Sequence, residues 1–183
     1  MAQFEAFDED VDIHGRAVVT VLDEVLPKFS DHYRKTALSA LADEGITDPA
    51  PETWYPQQAW LNALEAVADV LEPHLLDRLG EQVHNVPGFA NGSGTVEEGL
   101  QSIDEAYQRN HRGGEIGHYR FEPKNERAGE IECRNPYPCV FDRGIVRGAA
   151  KRYAPVGSFV FVEERGGACR RRGDDRCSYT VHW

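Results

Sequence analysis

No stretch of about 18 consecutive apolar residues occurs in these 183 residues, so no membrane-spanning helix is expected. Lysine is scarce: 4 lysines stand beside 16 arginines and 31 acidic residues, for a formal net charge of −11. Without a basic surplus the chain lacks the surface that non-specific nucleic-acid binding requires. An acid-rich, lysine-poor surface suits a cytoplasm full of salt, as in halophilic cells, where screening weakens the repulsion between carboxylates. An ordinary acidic protein is the other reading. The opening residues MAQFEAFDEDVD lack the charged-then-apolar layout of a secretion signal, which makes the cytoplasm the expected location. Catalytic signatures are missing too. There is no Gly-x-Ser-x-Gly, no phosphate loop, no His-Glu-x-x-His and no Gly-x-Gly-x-x-Gly. The Cys139 thiol could act as a nucleophile, but no base is identifiable near it, and an enzyme is not expected.

Cysteine is also sparse, and all four lie in the last third: Cys133, Cys139, Cys169 and Cys177. In a cytosolic chain these are thiols or metal ligands rather than disulfides. Cys133 sits alone in a strand-like run and reads as a small buried hydrophobe. Cys169 and Cys177 bracket the turn-forming run Gly173-Asp174-Asp175, which would bring both sulfurs to one end of a hairpin. Two such thiolates are half of a tetrahedral zinc site. Cys139, with Glu163 or Glu164, could supply the rest.

The apolar periodicity predicts one domain of the α+β class. Residues 1–114 read as about five helices, and residues 115–183 as strand–strand–helix–strand–strand around a small antiparallel sheet. Ile13–Leu26 is expected as a helix. Ser30 can cap the next, Pro49 and Pro51 mark a loop up to Tyr55, and Trp60, Leu64, Val67 and Leu71 form an apolar stripe. Thr95 and Glu98 make a capping box. After Gly114 come two strands, Ile116–Glu122 and Glu130–Arg134. A helix then starts at Pro138 and carries Gly144 and Gly148 one turn apart, which would let it approach a sheet closely. Ser158–Glu163 and Cys177–Trp183 alternate like strands.

This order of elements, with Pro138-Cys139 leading into a Gly-x-x-x-Gly helix and the closing Cys-x7-Cys, resembles the 4-vinyl reductase domain. That family shares a ligand-binding superfamily with haem–nitric oxide binding proteins and trafficking-complex subunits. The resemblance covers roughly 117–183. It implies an apolar pocket between helices and sheet, dimerisation and a sensory role. It also implies structural zinc held by three cysteines and a glutamate, carried here by Cys139, Cys169, Cys177 and Glu164. The family's glutamate position is occupied by Gly166, so Glu163, His182 or Cys133 are alternatives to Glu164. The haem-binding branch places a haem-ligating histidine near His111 and carries a Tyr-x-Ser-x-Arg clamp for the propionates. The stretch Glu132–Tyr137 lacks that clamp, and His111 reads as a helix end, so haem is set aside.

Pocket candidates are Trp54, Tyr55, Phe89, Tyr107 and His118, with Tyr119 beside the last, while Trp60 reads as ordinary core. Arg170-Arg171-Arg172 reads as a solvated turn. The favoured function is a sensor-like domain, a homodimer, that binds a small hydrophobic molecule. A dimeric scaffold without ligand, or a haem-based gas sensor through His111, are the alternatives.

Overall fold

A computed structural model describes residues 3–84 and 94–183 of the chain. The α+β expectation holds: helices pack on antiparallel sheets, and the second half runs strand–strand–helix–strand–strand. Among the described residues no helix is long and apolar enough to cross a membrane.

The N-terminal region departs from the periodicity. In place of one helix over Ile13–Leu26, the chain forms strand β1 (Asp12–His14) and helix α1 (Gly15–Thr20). A π turn (Val21–Val25) and a 3-10 turn (Leu26–Lys28) follow. Pro27 accounts for the 3-10 turn that ends the run, since it cannot donate to the helical ladder. Strand β2 (Trp54–Pro56), read as loop, pairs antiparallel with β1, and β3 (His111–Arg112) pairs on β1's other edge. Three-residue strands carry too little alternation to show in a sequence. Their consequence is spatial: Ile13 faces His111 across the pair.

Helix α2 (Asp31–Asp43) is capped by Ser30, whose hydroxyl accepts from the His32 N–H. Helices α3 (Gln57–Val70) and α4 (Pro73–Val83) bury Trp60, Leu64, Val67 and Leu79. Helix α5 (Val96–Asn110) begins with the Thr95/Glu98 capping box, both halves of which form. It ends where His111 turns to extended backbone.

The second half places strands β4 (His118–Asn125), β5 (Ala128–Arg134), β7 (Cys177–His182) and β6 (Phe161–Glu164) side by side in that order. Helix α6 (Cys139–Tyr153) lies centrally, with Phe141, Ile145, Val146 and Ala149 in the core. Its two glycines face helix α4, not a sheet. A Cβ on Gly144 would sit 2.0 Å from the Asp77 carbonyl oxygen, and one on Gly148 would sit 2.5 Å from that of Glu81. Gly80 returns the contact, 2.1 Å from the Phe141 carbonyl oxygen. The seam is edged by ion pairs: Arg143–Asp77 at 2.9 Å, Arg147–Glu81 at 2.9 Å and Lys151–Glu81 at 2.8 Å.

Because backbone, not a flexible side chain, blocks these positions, Gly144→Ala should lower unfolding stability by about 2 kcal/mol or more. Gly167→Ala, whose Cβ meets nothing within 4 Å, should stay within about 0.5 kcal/mol. Urea melts of the two variants measure the contrast.

Candidate functional site

Helix α5 delivers Tyr107 and His111 one turn apart to the interior. His111 is buried, and both ring nitrogens are engaged. Nδ1 lies 2.8 Å from the Tyr107 carbonyl oxygen and Nε2 lies 2.8 Å from the Tyr137 hydroxyl. A carbonyl oxygen only accepts, so the Nδ1 bond places the proton on Nδ1 and leaves a lone pair on Nε2. The Tyr137 hydroxyl donates to that lone pair. Burial holds the imidazole pKa down at about 4, so the ring is neutral near pH 7.

Beside the ring lies a cavity of about 50 Å³. Its walls are mainly apolar: Ile13, Trp60, Ile103, Phe141 and Ile145, with Tyr107, Tyr119 and Tyr137 adding hydroxyls. No arginine or lysine lines it among the described residues. Gln57, the first residue of α3, is completely buried nearby. Its amide lies close enough to the Tyr107 and Tyr137 hydroxyls to draw both phenols down from where burial pushes them. Yet neither Oε1 nor Nε2 of Gln57 makes a hydrogen bond of proper geometry. An unpaired buried amide group costs about 1–3 kcal/mol, so its retention calls for an explanation.

A second buried centre adjoins the first. The Arg170 guanidinium pairs with Asp142, both side chains fully enclosed. Asp142 also accepts from the Tyr119 hydroxyl at 2.6 Å and from Asn135 Nδ2 at 3.1 Å. Burial pushes the Asp142 carboxyl up, against the Arg170 charge and these donors, which pull it down. Arg170 further donates to Asn135 Oδ1 at 2.6 Å, and the same oxygen accepts from the Tyr137 N–H at 2.9 Å. Arg170 is therefore an interior cation, not part of a solvated turn, while Arg171 and Arg172 are exposed as expected.

Around Arg170 the three late cysteines converge. Cys177 and Cys139 sulfurs lie 2.8 Å apart, and Cys169 lies 3.8 Å and 3.9 Å from them. Cys177 is held down at about 5, first by the hydrogen bond with Cys139 and then by the Arg170 N–H and charge. Cys139 is pushed up by the same bond and by burial. Gln3 Nε2 donates to Cys139 Sγ at 2.8 Å. Glu164 is not brought to this cluster. Its carboxylate sits against Arg171 at 2.9 Å and Arg172 at 3.6 Å. Glu163 and His182 are exposed on β6 and β7, and Cys133 is a buried residue opposite Cys177 in the sheet.

Of the sequence-nominated pocket residues that are described, Tyr107 and Tyr119 line the cavity. Trp54 meets His14 edge-to-face, ring centroids 4.7 Å apart, under the Arg112 guanidinium, and the Tyr55 hydroxyl accepts from the Ala50 N–H. His118 pairs with Glu132 at 3.0 Å on the sheet. Phe89 lies outside the described residues. Trp60, read as core, is a wall of the cavity. Tyr137 was missed, and His111 was weighed as a haem ligand but read as a helix end. The only local signal was the Tyr107–His111 spacing of four at a helix end.

No family model and no curated protein matches the sequence. Solved structures do. A mutant of the H-NOX protein from S. oneidensis in the Fe(II) ligation state superposes with a TM-score of 0.67 at 13% identity, over 93% of this chain and 95% of that one. The fold is that of the H-NOX domain. A mutant of H-NOX from T. Tengcongensis gives a TM-score of 0.64 at 17% identity, over 93% and 97% of the two chains. A structure titled for the function of heme distortion in the H-NOX family gives 0.64 at 15%, over 93% and 95%. The expected 4-vinyl reductase likeness is corrected by these neighbours: the chain's fold matches H-NOX domains. The expectation of zinc with haem set aside is corrected with it, since it was drawn from the 4-vinyl reductase likeness, whereas the H-NOX structures carry Fe(II) and heme in their titles.

The depressed His111 pKa has a signed consequence. Below its ordinary value near 6.5 the unfolded imidazole takes up a proton that the folded one refuses until about pH 4. This contribution is fully present above pH 6.5 and is lost as pH falls through that window. Between pH 7 and pH 4.5, wild type should lose roughly 2 kcal/mol more stability than His111→Phe. Denaturant titrations at both pH values give the difference, with the carboxylate contributions common to both proteins.

Proposed function

We propose that this chain is a small-ligand-sensing domain in which His111 holds the iron of a haem group. One observation carries the reading: a buried, neutral imidazole at the end of α5, in the wall of an apolar cavity, has Nδ1–H tied to a backbone carbonyl and an Nε2 lone pair that only the Tyr137 hydroxyl caps. That is the donor set a metal-ligating histidine needs, since the carbonyl fixes the tautomer and raises the basicity of the free nitrogen. The H-NOX neighbours support the choice of group, because one is in an Fe(II) ligation state and another was solved to probe heme distortion.

The residues fit the group in donor chemistry and wall polarity. His111 would supply the iron ligand, the Tyr107 carbonyl would hold the ring's orientation, and Trp60, Ile103, Phe141 and Ile145 would exclude water. When bound, haem supplies an iron able to take up a diatomic gas. Volume is the demand still to be met. A cavity of about 50 Å³ is far below the roughly 300–1,000 Å³ of ordinary ligand pockets. Uptake therefore requires the Tyr137 hydroxyl to leave Nε2 and the walls to part. Carboxylate anchors must come from outside the described cavity wall, because the buried Arg170 guanidinium is committed to Asp142. In this reading the three thiols and Arg170 brace the start of α6, which carries the far wall.

The small cavity favours one competing reading, a pocket filled by its own side chains in a scaffold without ligand. Titration with ferric haem separates the two. A Soret band should rise to one equivalent in wild type and fall at least tenfold in affinity in His111→Ala. A wild-type titration without a Soret band, on protein whose circular dichroism is that of a folded α+β chain, would sink the proposal and leave the scaffold.

A further inference from the structure

Among the described residues, both polar atoms of the buried Gln57 side chain lack a hydrogen-bond partner, as does Arg170 Nε in the adjoining ion pair. Tyr107 spends its hydroxyl on the Ile116 carbonyl oxygen. Tyr119 spends its hydroxyl on Asp142. Tyr137 has one proton to give and spends it on Nε2 of His111. Gln57 is held in place by its own backbone N–H, which donates to the Val11 carbonyl at 2.8 Å. Its side chain reaches toward the Tyr107 and Tyr137 hydroxyls and bonds properly to neither.

We propose that Gln57 is the second seat for the Tyr137 hydroxyl, so that Tyr137 and Gln57 together decide whether Nε2 of His111 is capped or free. This rests on the reading of His111 as the donor. In the state seen, Tyr137 caps Nε2 and the Gln57 carbonyl oxygen goes unfilled. When a ligand takes Nε2, the Tyr137 proton passes to Gln57 Oε1. One hydrogen bond is lost and one is made, and no hydroxyl is stranded. Without an acceptor at position 57, a ligand at Nε2 would leave the Tyr137 O–H buried and unpaired, and binding would weaken by that penalty. The Tyr107 hydroxyl already gives its proton to the Ile116 carbonyl oxygen, so it does not compete for the Gln57 acceptor. Gln57 and Tyr137 are thus positioning residues that act through His111.

The test is a double-mutant cycle read by ferric-haem affinity. Gln57→Leu should weaken binding about tenfold in the wild-type background, with the Soret maximum unmoved. In the Tyr137→Phe background, which has no hydroxyl to seat, the same substitution should change affinity less than about twofold. Equal losses in both backgrounds would mark Gln57 as merely structural and overturn the proposal. No loss in either would mean that a buried water already satisfies the amide, and would overturn it too. If Gln57→Leu does not fold, Gln57→Met keeps the length without the amide. Should wild type take up no haem at all, the functional proposal has failed while the seat exchange stays testable. In the metal-free protein, the ¹⁵N resonance of His111 Nε2 should shift toward stronger hydrogen bonding in Gln57→Leu and away from it in Tyr137→Phe. An unmoved resonance in Gln57→Leu ends the second-seat idea.

Discussion

The buried pair of Arg170 and Asp142 ties the two halves of the site into one object. An uncompensated charge in this interior would be expensive, so the elements that carry the pair must dock together or not at all. Asp142 comes from α6, Arg170 from the turn between β6 and β7, and Asn135 from the end of β5. Once Arg170 is docked, its neighbours Cys169 and Cys177 are carried to Cys139 at the start of α6. Asn135 in turn holds the Tyr137 N–H, which aims the tyrosine ring at His111. The thiol cluster and the histidine cavity thus share one anchor.

A second constraint comes from shape. Glycines on α4 and α6 let those helices approach until backbone meets backbone. That approach fixes where Phe141 and Ile145 stand, and with them the far wall of the cavity. The near wall comes from α5, whose capping box sets its start and whose last turn releases His111 into β3. The cavity lies where α5, α6, α3 and the short β1 strand converge, and its small volume reflects how closely these elements fit.

Much of the second half was legible in advance, and the reasons are local. Thr95 and Glu98 announce a helix start through bonds that span three residues. The alternation in Ile116–Glu122 and Cys177–Trp183 is long enough to show period two. The Gly-Asp-Asp turn between Cys169 and Cys177 predicts that the two sulfurs return to the same end, and they do. The first helix was misread because Pro27 and three-residue strands interrupt a pattern that composition alone extends. Glu164 was misplaced because Arg171 and Arg172, two turns of chain away, claim its carboxylate first. Trp54, Tyr55 and His118 were chosen for residue type, and nothing in their local sequence said that β2 and β4 would turn them from the cavity.

What the residue order determined on its own was the class of fold, the antiparallel arrangement of its last strands and the meeting of the late cysteines. Each follows from periodicity, turn chemistry or spacing, interactions that act within a few residues. Only the folded chain decided that His111 is a buried donor, that Arg170 is an interior cation and that Gln57 waits without a partner. Those facts depend on groups brought together from 26 to 35 positions apart, as His111 with Tyr137 and Arg170 with Asn135. Pairings at that range are selected by packing and by the cost of leaving a buried polar group alone, and neither can be read from neighbours in sequence.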